Sequence, residues 1–176
     1  MWLYLNLDGI DFHFRISDYQ KSTQTNWDDQ WCKIDLTLQS DNWLDYQISS
    51  SILLSYEVEI LRNKLSALLS NEIKSTENLD FIEPDLSFVL SPQKDLTLDP
   101  NYIYVAPGHE IADIFTDLRV HLWDGGMTAN YISLCFVRED IEVLYFYLSL
   151  ITKQIKADDP SIKKYIDSDI IRVYNK

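Results

Sequence analysis

The sequence predicts an α+β fold in which an antiparallel β-sheet of about six to eight strands, built as meanders and hairpins, carries two main helices on one face. Two observations favour this class. Several segments alternate apolar and polar residues, the period of a half-buried strand, and short turns separate them. Two further segments have apolar residues at spacings of three and four, the period of a helix. Each helical segment follows a group of strands, so the order of elements indicates antiparallel pairing.

Four strands are predicted before the first helix. An apolar run at the N-terminus reaches a turn at Asp8-Gly9, and a polar loop later separates the second strand from the third. The predicted strands lie around residues 2–4, 10–16, 34–38 and 43–49. Leucines at helical spacing then predict a helix over residues 54–69, capped by Ser50 or Ser51 and ended at Asn71.

The second half repeats the change from strands to helix. Strands are predicted at 79–81, 86–90, 118–122 and 131–137, with a short one at 102–105 inside a long proline-containing connection. Asp124-Gly125-Gly126-Met127 is typical of a tight hairpin. A second helix is predicted over 138–155, followed by a short helix and a strand near 170–174.

The chain of 176 residues is predicted to form a single domain, 1–176, with residues 156–176 as a C-terminal extension. No internal sequence repeat divides it. The N-terminus has no basic leader segment, and no apolar run approaches the roughly 18 residues of a membrane span. We therefore expect a cytoplasmic protein.

Charge is the most unusual feature of the composition. The chain has 15 Lys and Arg against 28 Asp and Glu, a net charge of −13. Ten acidic residues and only three basic ones fall within residues 1–61. Nucleic acids and anionic membranes are therefore excluded as expected partners, whereas a basic protein would be attracted.

The motifs of common enzymes are missing. The sequence has no Gly-x-Ser-x-Gly, no His-Glu-x-x-His and no glycine-rich phosphate loop. Cys32 and Cys135 are too far apart for a paired-cysteine metal site, and each lies in an apolar-alternating run typical of a buried thiol. We predict no catalytic residue, no cofactor and no metal ion.

One alternative keeps an enzyme or a metal site open. Glu83 and Asp85 flank Pro84, and residues two apart on a strand point to the same side. His121 shares a strand face with Asp117, as a general base held by a carboxylate would. This alternative requires Glu83, Asp85 and His121 to converge; a structural turn and a solvated strand face explain the same residues more simply.

Aromatic residues lie among the acids of the N-terminal region, a combination found where proteins bind basic partners. The predicted partner-binding residues are Trp27, Asp28, Asp29, Asp41, Trp43, Asp45 and Glu57. The carboxylates would supply the attraction, and Trp27 and Trp43 would be the anchors.

Several segments together resemble a known family. They are Trp31-Cys32, Ser55-Tyr56-Glu57 on a leucine helix, Leu79-Asp80-Phe81-Ile82-Glu83-Pro84-Asp85-Leu86 and Asn130-Tyr131-Ile132-Ser133-Leu134. Over residues 2–150 the chain resembles the WapI-type immunity proteins of bacterial polymorphic toxin systems. The resemblance implies neutralisation of a toxin, often a basic nuclease, by stoichiometric binding. It supplies no functional motif.

The leading hypothesis is therefore an acidic, non-catalytic protein-binding domain, monomeric or weakly dimeric, that neutralises a basic toxin. The alternatives are the small-ligand or metal-dependent enzyme described above, and a subunit of a larger assembly whose aromatic surface is an oligomer contact.

Overall fold

The structure is a computed structural model that describes residues 1–21, 29–124 and 126–173. Within these ranges the strands are β1 (Trp2–Leu7), β2 (Ile10–Ser17), β3 (Trp31–Ser40), β4 (Leu44–Leu54), β5 (Glu77–Asp80), β6 (Leu86–Ser91), β7 (Lys94–Asp95), β8 (Ile111–Ala112), β9 (Phe115–Trp123), β10 (Met127–Val137) and β11 (Ile171–Arg172). The helices are α1 (Ser55–Leu69), α2 (Arg138–Ile151) and α3 (Pro160–Asp167), and a single 3-10 turn covers Leu96–Leu98.

The strands form two main antiparallel sheets. The first has the order β11-β1-β2-β3-β4, and the second has the order β10-β9-β6-β5. A separate pair, β7 and β8, lies in the connection between β6 and β9. The α+β class with antiparallel sheets is confirmed. The strand count exceeds the prediction because two-residue strands such as β7 and β8 are too brief to produce a periodic signal.

The two halves of the chain share one architecture. Four strands form a meander and lead directly into a helix: β1–β4 into α1, then β5, β6, β9 and β10 into α2. The helices α1 and α2 pack against each other. The repeat is one of topology, which explains why no sequence repeat reveals it.

Both helices also begin in the same way. The N–H of Leu54 donates to Glu57 Oε2 at 2.8 Å, and the N–H of Val137 donates to Asp140 Oδ2 at 3.2 Å. In each helix, the carboxylate at the third helical position thus accepts a hydrogen bond from the last strand residue. Its negative charge also interacts favourably with the positive end of the helix dipole. The predicted caps at Ser50 and Ser51 are wrong, because β4 continues through both serines to Leu54.

A residue with left-handed backbone lies two positions after the last residue of each of these two helices. Asn71 has φ 56° and Lys153 has φ 59°, and the N–H of the residue after each bonds back into the last helical turn. The predicted stop at Asn71 is confirmed. The second helix ends at Ile151 instead of continuing to residue 155 as predicted.

One hydrophobic core joins both halves. Residues of β2, β3 and β9 alternate inward, as their sequence period predicts, whereas five of the six residues of β6 are buried. Tyr147 of α2 is fully buried, and its hydroxyl accepts the N–H of Ile16 at 2.8 Å. Cys32 is buried in this core, but Cys135 is exposed on β10, so the prediction of a buried thiol is wrong for Cys135.

Residues 160–172 are part of this core. Ile162 of α3 and Ile171 of β11 are fully buried, and β11 pairs with β1 through Trp2 and Leu3. The segment predicted as an extension thus supplies the fifth strand of the first sheet.

Candidate protein-binding surface

Two hairpin turns of the first sheet meet at one end of the molecule. The β1–β2 turn contains Asp8 and Gly9, and the β3–β4 turn contains Asp41 and Trp43. Ser40 Oγ donates to the carbonyl of Gly9 at 2.7 Å, which joins the two turns. Asp8 and Asp41 adopt left-handed backbone, with φ 50° and 39°, a conformation that Asp tolerates better than most residues.

Two more carboxylates lie on the outer face of the sheet behind these turns. Asp11 and Asp45 occupy one row across the strands, separated by Gln39. Two strand spacings, about 10 Å, therefore separate them. We refer to Asp8, Asp11, Asp41, Trp43 and Asp45 as the acidic hairpin end. Among the described residues, none of its four carboxylates forms an ion pair.

Trp43 is the large apolar residue of the acidic hairpin end. Its side chain is 69% exposed. Its indole Nε1 donates to Ser40 Oγ at 3.0 Å, and the same serine holds the two turns together. An exposed indole with its orientation fixed by a hydrogen bond is suited to bind another protein at little entropic cost.

The other predicted partner-binding residues have different positions. Asp29 is half-buried, and its Oδ2 accepts the N–H of Tyr56 at 2.8 Å, so its carboxylate caps the first turn of α1. Trp27 and Asp28 lie outside the described residues.

Glu57 requires a correction. It was expected to supply an accessible charge, yet it is only 4% exposed. Its two oxygens accept the N–H groups of Leu54 and Ile82, each at 2.8 Å. Burial raises the pKa of this carboxyl. Glu57 therefore connects β4, α1 and the residue after Phe81, and it does not contribute to the surface.

The residues of the enzyme alternative come together only in part. The N–H of His121 donates to the carbonyl of Asp85 at 2.8 Å, and His121 Nε2 lies 3.4 Å from Ser87 Oγ. Burial raises the pKa of Asp85, although the Trp123 side chain and His121 oppose this. Glu83 instead influences Glu57: after burial, the negative charge of Glu83 is a further cause of the raised pKa of Glu57.

Two observations limit the chemistry of this cluster. His121 Nδ1 is buried and has no hydrogen-bond partner among the described residues, so no carboxylate orients the ring. Within the described part of the chain, no three His, Cys, Asp or Glu side chains are grouped closely enough to hold a metal ion.

Carboxylates from the second half of the chain extend the acidic hairpin end. The rings of Phe12, next to Asp11, and Phe136, next to Cys135, pack edge to face with centroids 5.3 Å apart. Partial desolvation and then the negative charges of Asp117, Asp8 and Asp140 raise the pKa of the exposed Cys135. Asp117 is the direct neighbour of Cys135 across β9 and β10, whereas Asp8 belongs to the other sheet. Sequence reasoning missed this grouping, because only the packing of the two sheets brings these residues together.

Comparison with known proteins identifies the family. The profile described as the immunity protein WapI-like family matches residues 3–154. The chain belongs to this family, as the resemblance of its strand and helix segments predicts.

Other comparisons add little. No curated protein sequence matches the chain significantly. One of the solved structures that align with the chain is described as that of the plant transcriptional regulator PBF-2. Its identity to this chain is 10%, its TM-score is 0.38, and the alignment covers 94% of this chain and 92% of that one. No helix among the described residues is long and apolar enough to cross a membrane.

Proposed function

We propose that this protein neutralises a toxin by binding it directly, and that the acidic hairpin end contacts the toxin. The family supplies the general role of an immunity protein. The observation that carries the proposal is Trp43, which is 69% exposed and shares the acidic hairpin end with four carboxylates that form no ion pair with the described residues.

Charge supports a basic toxin as the partner. The net charge of −13 and the unpaired carboxylates would attract a positively charged protein and speed its association. A nuclease is the favoured toxin class, because an enzyme that acts on nucleic acid needs a basic surface that the acidic hairpin end would cover. Neutralisation would then require neither catalysis nor a cofactor.

The first test is protection. A candidate toxin domain from the source genome is expressed in the cytoplasm with and without this chain, and growth is measured. We expect growth only when the chain is present. Continued killing, together with no binding of the purified proteins, would contradict the proposed function.

The second test concerns the surface. Asp11→Lys with Asp45→Lys reverses two exposed charges at the acidic hairpin end without altering the left-handed position of Asp41, and we expect association with the toxin to slow by about tenfold or more at low salt. The salt dependence of the association rate should become flatter. Stopped-flow or surface-based kinetics at two salt concentrations would measure both effects.

A matched control separates local from total charge. Asp158→Lys with Asp167→Lys gives the same change in net charge at exposed positions. Asp158 precedes α3 and Asp167 is its last residue. The adjoining β11 pairs with β1 at Trp2 and Leu3, the end opposite the Asp8 turn. Equal slowing by both double variants would remove the acidic hairpin end from the proposal. Asp29→Lys is unsuitable as a test because it would also remove the cap of α1.

A further inference from the structure

The connection between β6 and β9 carries the most exposed apolar side chains of the described chain. Ile103 is fully exposed, Leu98 is 80% exposed and Tyr104 is 75% exposed. Tyr102 and Ile111 are each about half exposed. Clusters of this kind on a protein surface mark sites of interaction, whereas single exposed apolar residues are ordinary.

This connection has a defined base. Lys94 and Asp95 pair with Ala112 and Ile111, and the N–H of Leu96 donates to the carbonyl of Glu110 at 2.7 Å. Farther along, the carboxylate of Asp99 binds Lys94 Nζ and accepts the N–H of Asn101 at 3.0 Å. The apolar side chains are therefore displayed on a closed hairpin and not on an open strand.

The surface continues toward the acidic hairpin end. Phe115 lines two adjoining hollows, one of about 460 Å³ shared with Leu96 and Tyr102, the other of about 400 Å³ shared with Cys135 and Val137. The second hollow includes Cys135, which pairs with Asp117 and precedes Phe136, and the Phe136 ring packs against Phe12 beside Asp11 of the acidic hairpin end. The apolar and acidic surfaces thus meet at the end of β10.

We propose that residues 98–111, together with Phe115 and Val137, form an apolar docking surface for the same toxin that the acidic hairpin end attracts. This inference rests on the proposed function and adds the partner's chemistry: an apolar depression bordered by Lys or Arg. An apolar centre beside a charged rim is the usual arrangement of a tight interface, in which charge speeds association and apolar burial slows dissociation.

Charge favours the toxin over a second copy of the chain as the occupant. Each copy has a net charge of −13, and of the charged residues that line the second hollow, Asp113 is paired with Arg138 while Glu139 leaves one net negative charge. Two copies docked through this surface would bring like charges together, whereas a basic partner would place opposite charges there.

The test uses the toxin domain against which the chain protects cells. Ile103→Ser with Tyr104→Ser removes two of the three most exposed apolar side chains of this connection. We expect the dissociation constant to rise by about tenfold or more, through faster dissociation, with the salt dependence of association unchanged. Ile82→Ser is the matched control, because Ile82 is 47% exposed and lies outside both hollows; its affinity should stay within about twofold of wild type.

The outcomes separate this inference from the proposed function. If the wild-type chain protects and binds but the double Ser variant binds equally well, the docking surface is wrong and the proposed function stands. If the wild-type chain neither binds nor protects, the proposed function fails first. The remaining case is tested by sedimentation of the free wild-type and double Ser proteins. If the wild-type chain forms a dimer, the double variant does not, and both bind the toxin equally, the surface binds a second copy of the chain.

Discussion

The carboxylate of Glu57 illustrates how much one buried residue contributes to this fold. It accepts two backbone N–H groups, one from the residue before α1 and one from Ile82 on the approach to β6. Both donors would lose their acceptor if the side chain were removed, and leaving buried N–H groups unpaired is more costly than the bonds are favourable.

Glu57→Ala is expected to lower the free energy of unfolding by about 2 kcal/mol or more. Burial raises the pKa of Glu57 above its ordinary value of 4.5, so the folded state binds the proton more tightly than the unfolded state. Its contribution to stability is therefore largest below pH 4.5 and declines as the pH rises through the folded-state pKa.

The loss caused by Glu57→Ala should accordingly be larger at about pH 4 than at about pH 8. Chemical denaturation at both pH values would measure it, with the exposed Glu72→Ala as the control. A loss that grows with pH would indicate instead that Glu57 is stabilised in its charged form.

Exposure of single residues was only partly predictable. Asp41, Trp43 and Asp45 lie on the surface, as their place in a polar turn indicates, and their contact with a partner stays a prediction. Glu57 was predicted to be exposed like these residues, because a glutamate on an amphipathic helix is normally exposed. Nothing local in the sequence reveals that β6 approaches this helix end and buries it.

At the scale of elements, α3 and β11 close the first sheet. Ile162 and Ile171 are completely buried, Tyr165 is nearly so, and the N–H of Tyr4 donates to the carbonyl of Ile170 at 2.8 Å. The family match ends at residue 154, so this segment lies beyond the shared region and still belongs to the core.

Ile162→Ala is therefore expected to lower the free energy of unfolding by about 2 to 5 kcal/mol, because it removes a fully buried side chain. Lys163→Ala, the exposed next residue, should change it by less than about 0.5 kcal/mol. Thermal and urea denaturation would measure both. Equal stability of the two variants would show that the C-terminal segment is a dispensable extension.

Strong periodicity predicted elements well, and weak periodicity did not. The β2 and β3 strands alternate over eight and ten residues; β2 and the start of α2 were predicted correctly, and β3 was predicted over its central residues 34–38. Residues 102–105 were predicted as a strand from their β-branched and aromatic residues, and they form none. Their side chains face solvent, so no neighbouring strand or core supplied the partner that a strand requires.

The whole molecule offers two possible ways to neutralise a toxin, binding and catalysis. The grouping of Asp85, Ser87 and His121 is the best argument for catalysis, yet no described residue bonds His121 Nδ1. Binding predicts that residual toxin activity falls linearly with added chain until the two proteins are equimolar. A catalyst would neutralise an excess of toxin.

We expect a linear titration, with His121→Phe giving the same equivalence point as the wild-type chain. Phenylalanine keeps a ring on β9 while removing both nitrogens, and it suits a half-buried strand position. Nuclease or growth-inhibition assays over a range of molar ratios would measure the titration. Protection far below equimolar ratio, lost in His121→Phe, would establish the enzyme alternative.

The closed base of the connection between β6 and β9 has a consequence for how such a protein can change. Because Lys94 and Ala112 are partners in a strand pair, the two ends of the segment between them lie next to each other in the fold. It can therefore be exchanged as a cassette without disturbing the meanders or the two helices. Recombination within one short stretch of the gene could therefore give such a scaffold specificity for a different toxin. The same stretch is a suitable site for loop grafting in protein engineering.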